Sequence, residues 1–390
     1  MTCPACGGGR TEPFFEQGGV PVHSCLLVDD ATSARDFPRG RLSIALCQDC
    51  GFMFNAAYDA ADSDYSPAYE ETQGFSPHFQ AFLADLAERW VGRYGLAGGR
   101  VVEIGCGKGE FLVELARHGV AEAIGIDPGV HPDRIPEDVR DRIRPVPGFF
   151  PADMGDLDAD AVVCRHTLEH IGPVAEFMGE VRRAIGDRPD TVVLFELPDT
   201  LRVLREAAFW DLYYEHCSYF TLGSLGRLFR RTGFEVLDLS TTYDDQYLLV
   251  EARCAAPGAG EPHPLEDDLE VVADAVAAFR IMEAETVTGW SERIAKVAAH
   301  GGRTALWGSG SKAVAFLAAL GDEADSVGAV VDINPHKHGK YMAGTGHRIE
   351  APSHLTSFEP ELVIAMNPVY VEEIQRDLDD LDVATTLEAL

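Results

Sequence analysis

A glycine-rich turn between two acidic residues carries the clearest chemical signal in the sequence. The apolar run 101–104 contains Glu103 near its end, and a second apolar run, 123–126, leads directly into Asp127. The glycines of the turn are Gly105, Gly107 and Gly109. Glycines let a ligand approach the backbone, and an acid at the tip of the second strand accepts hydrogen bonds from two ribose hydroxyls. The pattern predicts a nucleotide-like ligand at the carboxyl edge of a parallel sheet.

A second group of reactive side chains lies in the run YYEHCSYF, residues 213–220. Core packing explains some of its aromatic residues, but it does not explain a Glu-His pair before a polar turn. Histidine has a pKa suited to proton transfer near neutral pH. We therefore predict that His216 acts as a base, and that Glu215 and Tyr213 orient it or share its proton.

Four of the nine cysteines form two C-x-x-C pairs, Cys3, Cys6, Cys47 and Cys50. Two such turns supply four thiolates, the donor set of a closed structural zinc site. His23 and Cys25 lie between the pairs and are alternative ligands. A redox C-x-x-C is a further alternative, although nothing around either pair resembles a thioredoxin unit.

The order of apolar runs predicts three units. A zinc-binding domain spans 1–60, a domain of alternating strands and helices spans 61–255, and a smaller Rossmann-like α/β domain spans 266–390. In the middle domain a helix at 79–94 precedes the alternating elements. Those elements predict a seven-stranded, mostly parallel sheet covered by helices on both faces. The segment 58–79, with Tyr65 and Tyr69, is expected to be a loop that crosses this domain.

The net charge of −32 limits the partners of the chain. Such a surface repels phosphate backbones, which argues against a nucleic-acid substrate. No apolar run has the length of a membrane span, and we expect a cytoplasmic protein that is a monomer or small homo-oligomer. Three of the five lysines, Lys312, Lys337 and Lys340, fall close together in the C-terminal unit. Their concentration in so acidic a chain suggests a local anion site.

The form Glu-x-Gly-x-Gly-x-Gly, with Asp127 after the second strand, resembles the first two motifs of class I S-adenosylmethionine (SAM) methyltransferases. An NAD(P) site is the alternative, because dinucleotide-binding enzymes also have a glycine-rich turn after the first strand. SAM has no pyrophosphate, and the extra acid, Glu103, suits its methionyl ammonium. In that family the end of the fourth strand adjoins the methionyl group. The resemblance therefore implies that Arg165 and His166 bind the cofactor.

The whole chain resembles the three-domain C-methyltransferases of deoxysugar biosynthesis in antibiotic pathways. The resemblance rests on the four cysteines, the YYEHCSYF run, and a C-terminal D-x-N-P-x-K-x-G-x-Y-x-x-G-T motif at 332–345. That family methylates a carbon next to a ketone of a nucleotide-linked sugar. Carried over to this sequence, its catalytic set is Tyr213, Glu215, His216, His170 and Tyr69.

The resemblance implies that a base removes the proton α to a carbonyl of a small acceptor and that the enolate takes the SAM methyl. The sequence GSGSK (308–312) and the motif KYMAGTGHRI depart somewhat from the sugar enzymes, so the acceptor class stays open. An O- or N-methyltransferase on the same scaffold is the main alternative. A zinc-containing binding protein with a degenerate SAM site is another, although Glu103 and the glycines are intact.

Overall fold

The computed structural model describes residues 1–62, 69–150 and 157–390. Its strands within these ranges are β1 (Thr11–Pro21), β2 (Arg39–Cys47), β3 (Met53–Asn55), β4 (Arg100–Ile104), β5 (Glu122–Ile126), β6 (Ile143–Val146), β7 (Ala161–Arg165), β8 (Val192–Pro198), β9 (Ser218–Tyr219), β10 (Phe234–Thr242), β11 (Tyr247–Cys254), β12 (Thr304–Trp307), β13 (Val327–Val331), β14 (Ile349–Glu350), β15 (Leu362–Ala365) and β16 (Thr386–Ala389). The α-helices there are α1 (Ala31–Arg35), α2 (Pro77–Tyr94), α3 (Glu110–Arg117), α4 (Val174–Ile185), α5 (Thr200–Glu206), α6 (Leu222–Arg231), α7 (Leu269–Ala299), α8 (Ser311–Leu320), α9 (Leu355–Phe358) and α10 (Val371–Asp380).

The middle of the chain forms the expected class I methyltransferase sheet. Within the described ranges it has seven strands in the order β10-β11-β8-β7-β4-β5-β6. Strands β8, β7, β4, β5 and β6 pair in parallel, and β11 pairs antiparallel with both β8 and β10. The prediction of a seven-stranded, mostly parallel sheet is confirmed. Because neighbouring strands run the same way, the ends of β4, β5 and β7 meet at one edge, which is where open parallel sheets bind their ligands.

Helix α2 begins two residues before the predicted start at 79. The Ser76 side chain accepts a hydrogen bond from the Phe79 amide, and Pro77 occupies the first turn. Both are standard features of a helix start, since Pro lacks the amide hydrogen that would be unsatisfied there. Trp90 is buried on the inner face of α2 and donates a 3.0 Å hydrogen bond to Glu251. The helix is thereby fixed against the antiparallel end of the sheet.

The N-terminal sheet has the strand order β1-β2-β3-β9. Its last strand comes from the middle of the chain, because Met53 pairs with Tyr219 and Phe54 with Ser218. Sequence patterns gave no sign of this pairing, since a two-residue strand has no periodicity to detect. The N-terminal unit therefore ends next to the YYEHCSYF run, while the domain boundaries 1–60, 61–255 and 266–390 stay predictions.

The C-terminal unit is a small parallel sheet with the strand order β14-β13-β12-β15-β16. It fits the expected Rossmann-like architecture and adds the edge strand β16, which the sequence analysis did not predict. Helix α7 precedes it and begins at Leu269. Phe279 of α7 packs between the edges of Phe14 and Phe15, with ring centroids 6.1 and 5.8 Å apart. Apolar packing therefore joins the N-terminal sheet to this unit.

No helix in the described parts of the chain is both long and apolar enough to cross a membrane.

Candidate active site

A cavity of about 550 Å³ is lined by residues at the carboxyl ends of strands from both parallel sheets. Gly105 follows β4, Asp127 follows β5, and Asp332 follows β13. His23 and Cys25 of the N-terminal unit complete the wall. All three units thus contribute to one site, which is large enough for a cofactor portion and an acceptor portion.

The glycine turn after β4 has the conformation that the sequence predicts. Gly105 has a φ of +70°, and a Cβ there would lie 1.9 Å from Oγ1 of Thr167. At Gly107 a Cβ would lie 2.9 Å from Oε1 of Glu71. A side chain at Gly105 would therefore both strain the backbone and collide with its neighbour, so this turn requires glycine.

Two acids face the cofactor portion of the cavity. Glu103 is buried, and its Oε2 has no hydrogen-bond partner among the described residues. Burial raises the pKa of Glu103 to about 8, although the charge of Arg165 opposes the shift. Asp127 accepts hydrogen bonds from the amides of Gly107 and Gly129, at 3.0 and 2.6 Å, and burial raises its pKa. An unpaired acid and a second acid that orders the turn suit a ligand with an ammonium and a diol.

Arg165 and His166, the two further residues predicted to bind the cofactor, belong to a buried charge network. The Arg165 guanidinium donates to Glu196 at 2.8 Å and lies over the Phe111 ring. His166 has a φ of +47°, and its Nε2 lies 2.8 Å from Oε1 of Glu196. Burial lowers the pKa of His166, but Glu169 and Glu196 outweigh it and raise that pKa to about 9. Both side chains line the cavity, and both are held by Glu196.

The predicted catalytic rings lie together at the acceptor portion of the cavity. The His216 ring centroid is 4.1 Å from that of Tyr213 and 4.8 Å from that of His170. Burial, together with the charges of His170 and His166, lowers the pKa of His216 well below its usual value. Burial raises the pKa of Tyr213. At neutral pH His216 is therefore uncharged and able to accept a proton, while the Tyr213 phenol keeps its own.

The Glu215 carboxylate points towards the N-terminal unit. It accepts hydrogen bonds from the Ser24 amide at 2.9 Å and from the Ser24 hydroxyl, and it lies 3.2 Å from Nδ1 of His23. The Glu215 carbonyl oxygen lies 3.1 Å from Nδ1 of His170. Glu215 thus holds the segment around His216 and His170 in place through contacts with its surroundings.

Tyr69 lines the cavity. Its carbonyl oxygen accepts a 2.8 Å hydrogen bond from Nζ of Lys108, and its ring centroid is 6.4 Å from that of His23. Tyr65, which was expected beside it, lies outside the described residues.

The four predicted zinc ligands form one cluster. One sulfur atom from each cysteine lies within 4.8 Å of the others, with Cys3 to Cys50 at 3.8 Å and Cys6 to Cys47 at 3.6 Å. Tetrahedral zinc with bonds of about 2.3 Å requires sulfur atoms about 3.8 Å apart. The four cysteines therefore fit zinc. His23 and Cys25 line the cavity, so they are poor candidates for this site.

The three clustered lysines do not form one anion site. Nζ of Lys337 lies 3.2 Å from Oδ2 of Asp332, and Lys312 forms an ion pair with Asp211. Lys340 lies outside the cavity lining and forms an ion pair with Asp29 at 2.5 Å. Only Lys312 and Lys337 of the three line the described part of the cavity, each beside a carboxylate that compensates its charge.

Several site residues were missed by the sequence analysis. Ser24 and Glu71 come from segments with no recognisable motif. In the folded chain Glu71 lines the cavity, and Ser24 reaches the site through its hydrogen bonds to Glu215. Lys108 lies inside the glycine turn already described, where an ionisable side chain between the glycines was the available signal.

Comparisons with known proteins agree with this geometry. A model of the family described as "Methyltransferase domain" matches residues 76–239, and one described as "C-methyltransferase C-terminal domain" matches 271–385. C-methyltransferase NovU of Streptomyces niveus is 27% identical over 95% of this chain and 90% of its own length. The chain is a methyltransferase that resembles the three-domain C-methyltransferases.

Similar solved structures cover less than half of the chain. N,N-8-amino-8-demethyl-D-riboflavin dimethyltransferase (RosA) of Streptomyces davawensis is 19% identical, with a TM-score of 0.38, over 45% of this chain and 55% of its own. Magnesium protoporphyrin IX methyltransferase (ChlM) of Synechocystis PCC 6803, with bound SAH, is 17% identical, with a TM-score of 0.35, over 46% of this chain and 84% of its own.

The cofactor portion of the methyltransferase site fits SAM. The unpaired Oε2 of Glu103 suits the methionyl ammonium, and Asp127 directly follows the neighbouring strand, a position from which a carboxylate can accept hydrogen bonds from a ribose diol. The glycine turn leaves room at Gly105 for the ligand to approach the backbone.

Proposed function

We propose that the protein is a SAM-dependent C-methyltransferase that removes a proton α to a carbonyl of a small acceptor and methylates the resulting enolate. The main support is the cluster of Tyr213, His216 and His170 in the same cavity as the SAM residues. An uncharged, buried histidine next to aromatic rings is suited to accept a proton from carbon. Glu103 and Asp127, with the glycine turn, hold the cofactor.

The chain's own residues account for the proton transfer. His216 accepts the proton from the α-carbon, and the electrons of the broken C–H bond move onto the carbonyl oxygen. The Tyr213 phenol, whose pKa is raised by burial, is a donor for that oxygen. SAM, when bound, supplies an electrophilic methyl group on sulfur, to which the enolate carbon bonds as the carbon–sulfur electrons return to sulfur. His216 then releases its proton to solvent.

The acceptor is proposed to be a nucleotide-linked keto-sugar or a related anionic carbonyl compound. The similarity to NovU along most of the chain, and the C-methyltransferase C-terminal domain, favour methylation at carbon over oxygen or nitrogen. Lys312 and Lys337 line the cavity and supply local positive charge in an acidic chain. Each is already paired, so the acceptor's anionic group would share them with Asp211 and Asp332.

Proton exchange tests the first step without methyl transfer. The protein, with S-adenosylhomocysteine added, is incubated in deuterated water with nucleotide-linked keto-sugars and with α-keto and β-keto acids. Wild-type protein is expected to introduce deuterium at the α-carbon of one acceptor class, and His216→Ala is expected not to. Equal exchange by both proteins would contradict the role of His216. No exchange above the protein-free rate on any acceptor that is methylated would contradict the enolate mechanism.

A further inference from the structure

We propose that Glu169 is a positioning residue that holds Nε2–H of His216 and balances the positive charge that His216 acquires. This inference rests on the proposed function, because it assigns the partner of the proposed base. It would leave Nδ1 of His216 as the nitrogen that faces the acceptor.

The first argument is the unsatisfied carboxylate of Glu169. The residue is 2% exposed, and neither of its carboxylate oxygens has a hydrogen-bond partner among the described residues. A buried carboxylate that has an ion-pair neighbour but no hydrogen bond is unfavourable unless another state of the protein supplies a donor. The residue also lines the cavity, where the proposed base lies.

The second argument is its distance from the proposed base. Oε1 of Glu169 lies 4.0 Å from Nε2 of His216 and 3.5 Å from Nδ1 of His166. Among the described residues, Glu169 is the one whose carboxylate lies within 4.0 Å of a ring nitrogen of His216. The Glu215 carboxylate is instead bound by Ser24. Hydrogen bonds of catalytic groups are often long without substrate, and a shift of about 1 Å closes this one.

The third argument is the alternation of charge behind Glu169. Arg165 pairs with Glu196, Glu196 with His166, and His166 with Glu169. Since the pKa of His166 is raised to about 9, this row of four side chains consists of two positive and two negative groups. His216 is the next member and is uncharged. A proton taken from the acceptor would add a positive charge directly beside the negative end.

The other groups around His216 do not replace Glu169. The His216 ring contacts the rings of Tyr213, Tyr219 and His170. The positive charge of Lys312 disfavours a protonated His216. Near Glu169, the Cys217 thiol lies 3.7 Å from the backbone carbonyl oxygen, to which it donates weakly, and the Cys164 thiol is a further neighbour of the residue. The negative charge next to His216 therefore comes from Glu169.

The chemistry balances with Glu169 unchanged. The C–H bond of the acceptor breaks, an N–H bond forms at Nδ1, and the electron pair moves to the carbonyl oxygen. Nε2 keeps its hydrogen and shares it with Glu169 throughout. After methyl transfer, Nδ1 returns its proton to solvent. The carboxylate is not itself protonated, as in other carboxylate–histidine pairs.

The most direct test leaves Glu169 unchanged and needs no acceptor. Wild-type protein is labelled with nitrogen-15 at histidine and studied by NMR with S-adenosylhomocysteine added. The His216 signals, assigned by comparison with His216→Ala, are expected to show the proton on Nε2 and a bare Nδ1. A proton on Nδ1 with a bare Nε2 would overturn the proposal. This result is independent of whether methyl transfer is found.

Variants then separate charge from hydrogen bonding. Glu169→Gln keeps an acceptor oxygen but no charge, and it is expected to lower kcat at least about tenfold, with SAM affinity unchanged within about twofold. Loss of the negative charge should lower the pKa of His216, so the acidic limb of the pH–kcat profile moves to lower pH. Glu169→Met should also remove the preference for Nε2–H. The exposed Glu176→Gln is the matched control and is expected to behave as wild type.

An unchanged kcat and pH profile in a folded, SAM-binding Glu169→Gln protein would overturn the role of Glu169 alone. Transfer of the methyl group to oxygen or nitrogen by the wild type would contradict the proposed function instead.

Discussion

Met53 pairs in an antiparallel register with Tyr219, and Tyr219 lies three residues after His216 in the sequence. Strand β3, which contains Met53, follows Cys50 closely and is paired on its other side with β2, which ends at Cys47. The four-cysteine cluster is therefore connected through two strands to the segment that carries the proposed base. A structural metal there would position that segment without touching the acceptor.

Loss of the metal is accordingly expected to affect methyl transfer more than SAM binding. Cys50→Ser should remove zinc, loosen β3 and release β9, with methyl transfer falling more than about tenfold. Hydrogen exchange at the amides of Ser218 and Tyr219 measures the release directly, and zinc analysis measures the loss of metal. Cys254→Ser, a half-buried cysteine outside the cluster, is the control. Intact protection of Ser218 and Tyr219 in a zinc-free protein would contradict this coupling.

SAM binding is expected to release protons, with Glu103 as a main source. With a pKa raised to about 8, Glu103 is mostly protonated at pH 7, and the SAM ammonium favours its ionised form. Affinity should therefore rise as pH increases from 6 towards 8. Glu71, with a pKa raised to about 7, adds to the same trend. Calorimetry in buffers of different ionisation enthalpy measures the protons released.

The matching substitution tests which acid is responsible. Glu103→Gln is expected to weaken SAM binding about 10- to 100-fold, since a charged hydrogen bond contributes about 1.5–3 kcal/mol. It should also reduce, without abolishing, the proton release. The exposed Glu137→Gln is the control. Affinity independent of pH, and unchanged in Glu103→Gln, would contradict the assignment of Glu103.

Two glycine-to-alanine substitutions should have opposite effects on the stability of the fold. Gly105→Ala places a Cβ against Thr167 at a positive φ and is expected to destabilise the fold by about 3 kcal/mol and to impair SAM binding. Gly179, inside α4, has no atom within 4 Å of an added Cβ. Gly179→Ala should be stabilising by about 0.5–1 kcal/mol. Thermal unfolding with and without SAM compares them, and a harmless Gly105→Ala would refute the proposed packing of the turn.

Sequence patterns were sufficient for the parts of the site that are local in the chain. The glycine turn and Asp127 belong to two neighbouring strands, and apolar runs with a terminal acid define both. The C-x-x-C pairs are similarly explicit, because two thiolates on one turn have few other uses. The residues of each such turn are neighbours in sequence, so their chemistry can be recognised before folding is considered, even though the two cysteine pairs meet across 41 and 47 positions.

The contacts that connect the units could not be predicted in this way. Glu215 meets Ser24 across 191 positions, and neither residue belongs to a pattern that points to the other. The predicted partnership of Glu215 with the base rested on adjacency in sequence. In the fold, neighbouring side chains point in different directions, so Glu215 contacts the N-terminal unit while Glu169 lies nearest to Nε2 of His216.

The clustering of lysines predicted a local anion site, and the fold brings Lys312 and Lys337, but not Lys340, to the cavity. Lys312, Lys337 and Lys340 are close in sequence, but each meets a different acid once the chain is folded. In a protein with 64 acidic residues, a basic side chain finds a partner almost anywhere. Sequence proximity therefore says little about whether positive charge remains for a ligand.

His216→Ala isolates the proposed base. The variant is expected to lose methyl transfer by about 10²- to 10⁴-fold, the usual contribution of a general base, while its affinity for SAM stays within about twofold of wild type. Binding calorimetry and a methyl-transfer assay give the two values. Near-normal turnover would show that another group takes the proton.

The most direct test of the account is to follow a carbon-13 methyl group from SAM to a panel of nucleotide-linked keto-sugars and α-keto and β-keto acids. Carbon NMR of the products separates methyls bonded to carbon, at high field, from those bonded to oxygen, at lower field. The account predicts a high-field signal that depends on His216. A signal in the region of methyls bonded to oxygen or nitrogen would contradict C-methylation through an enolate.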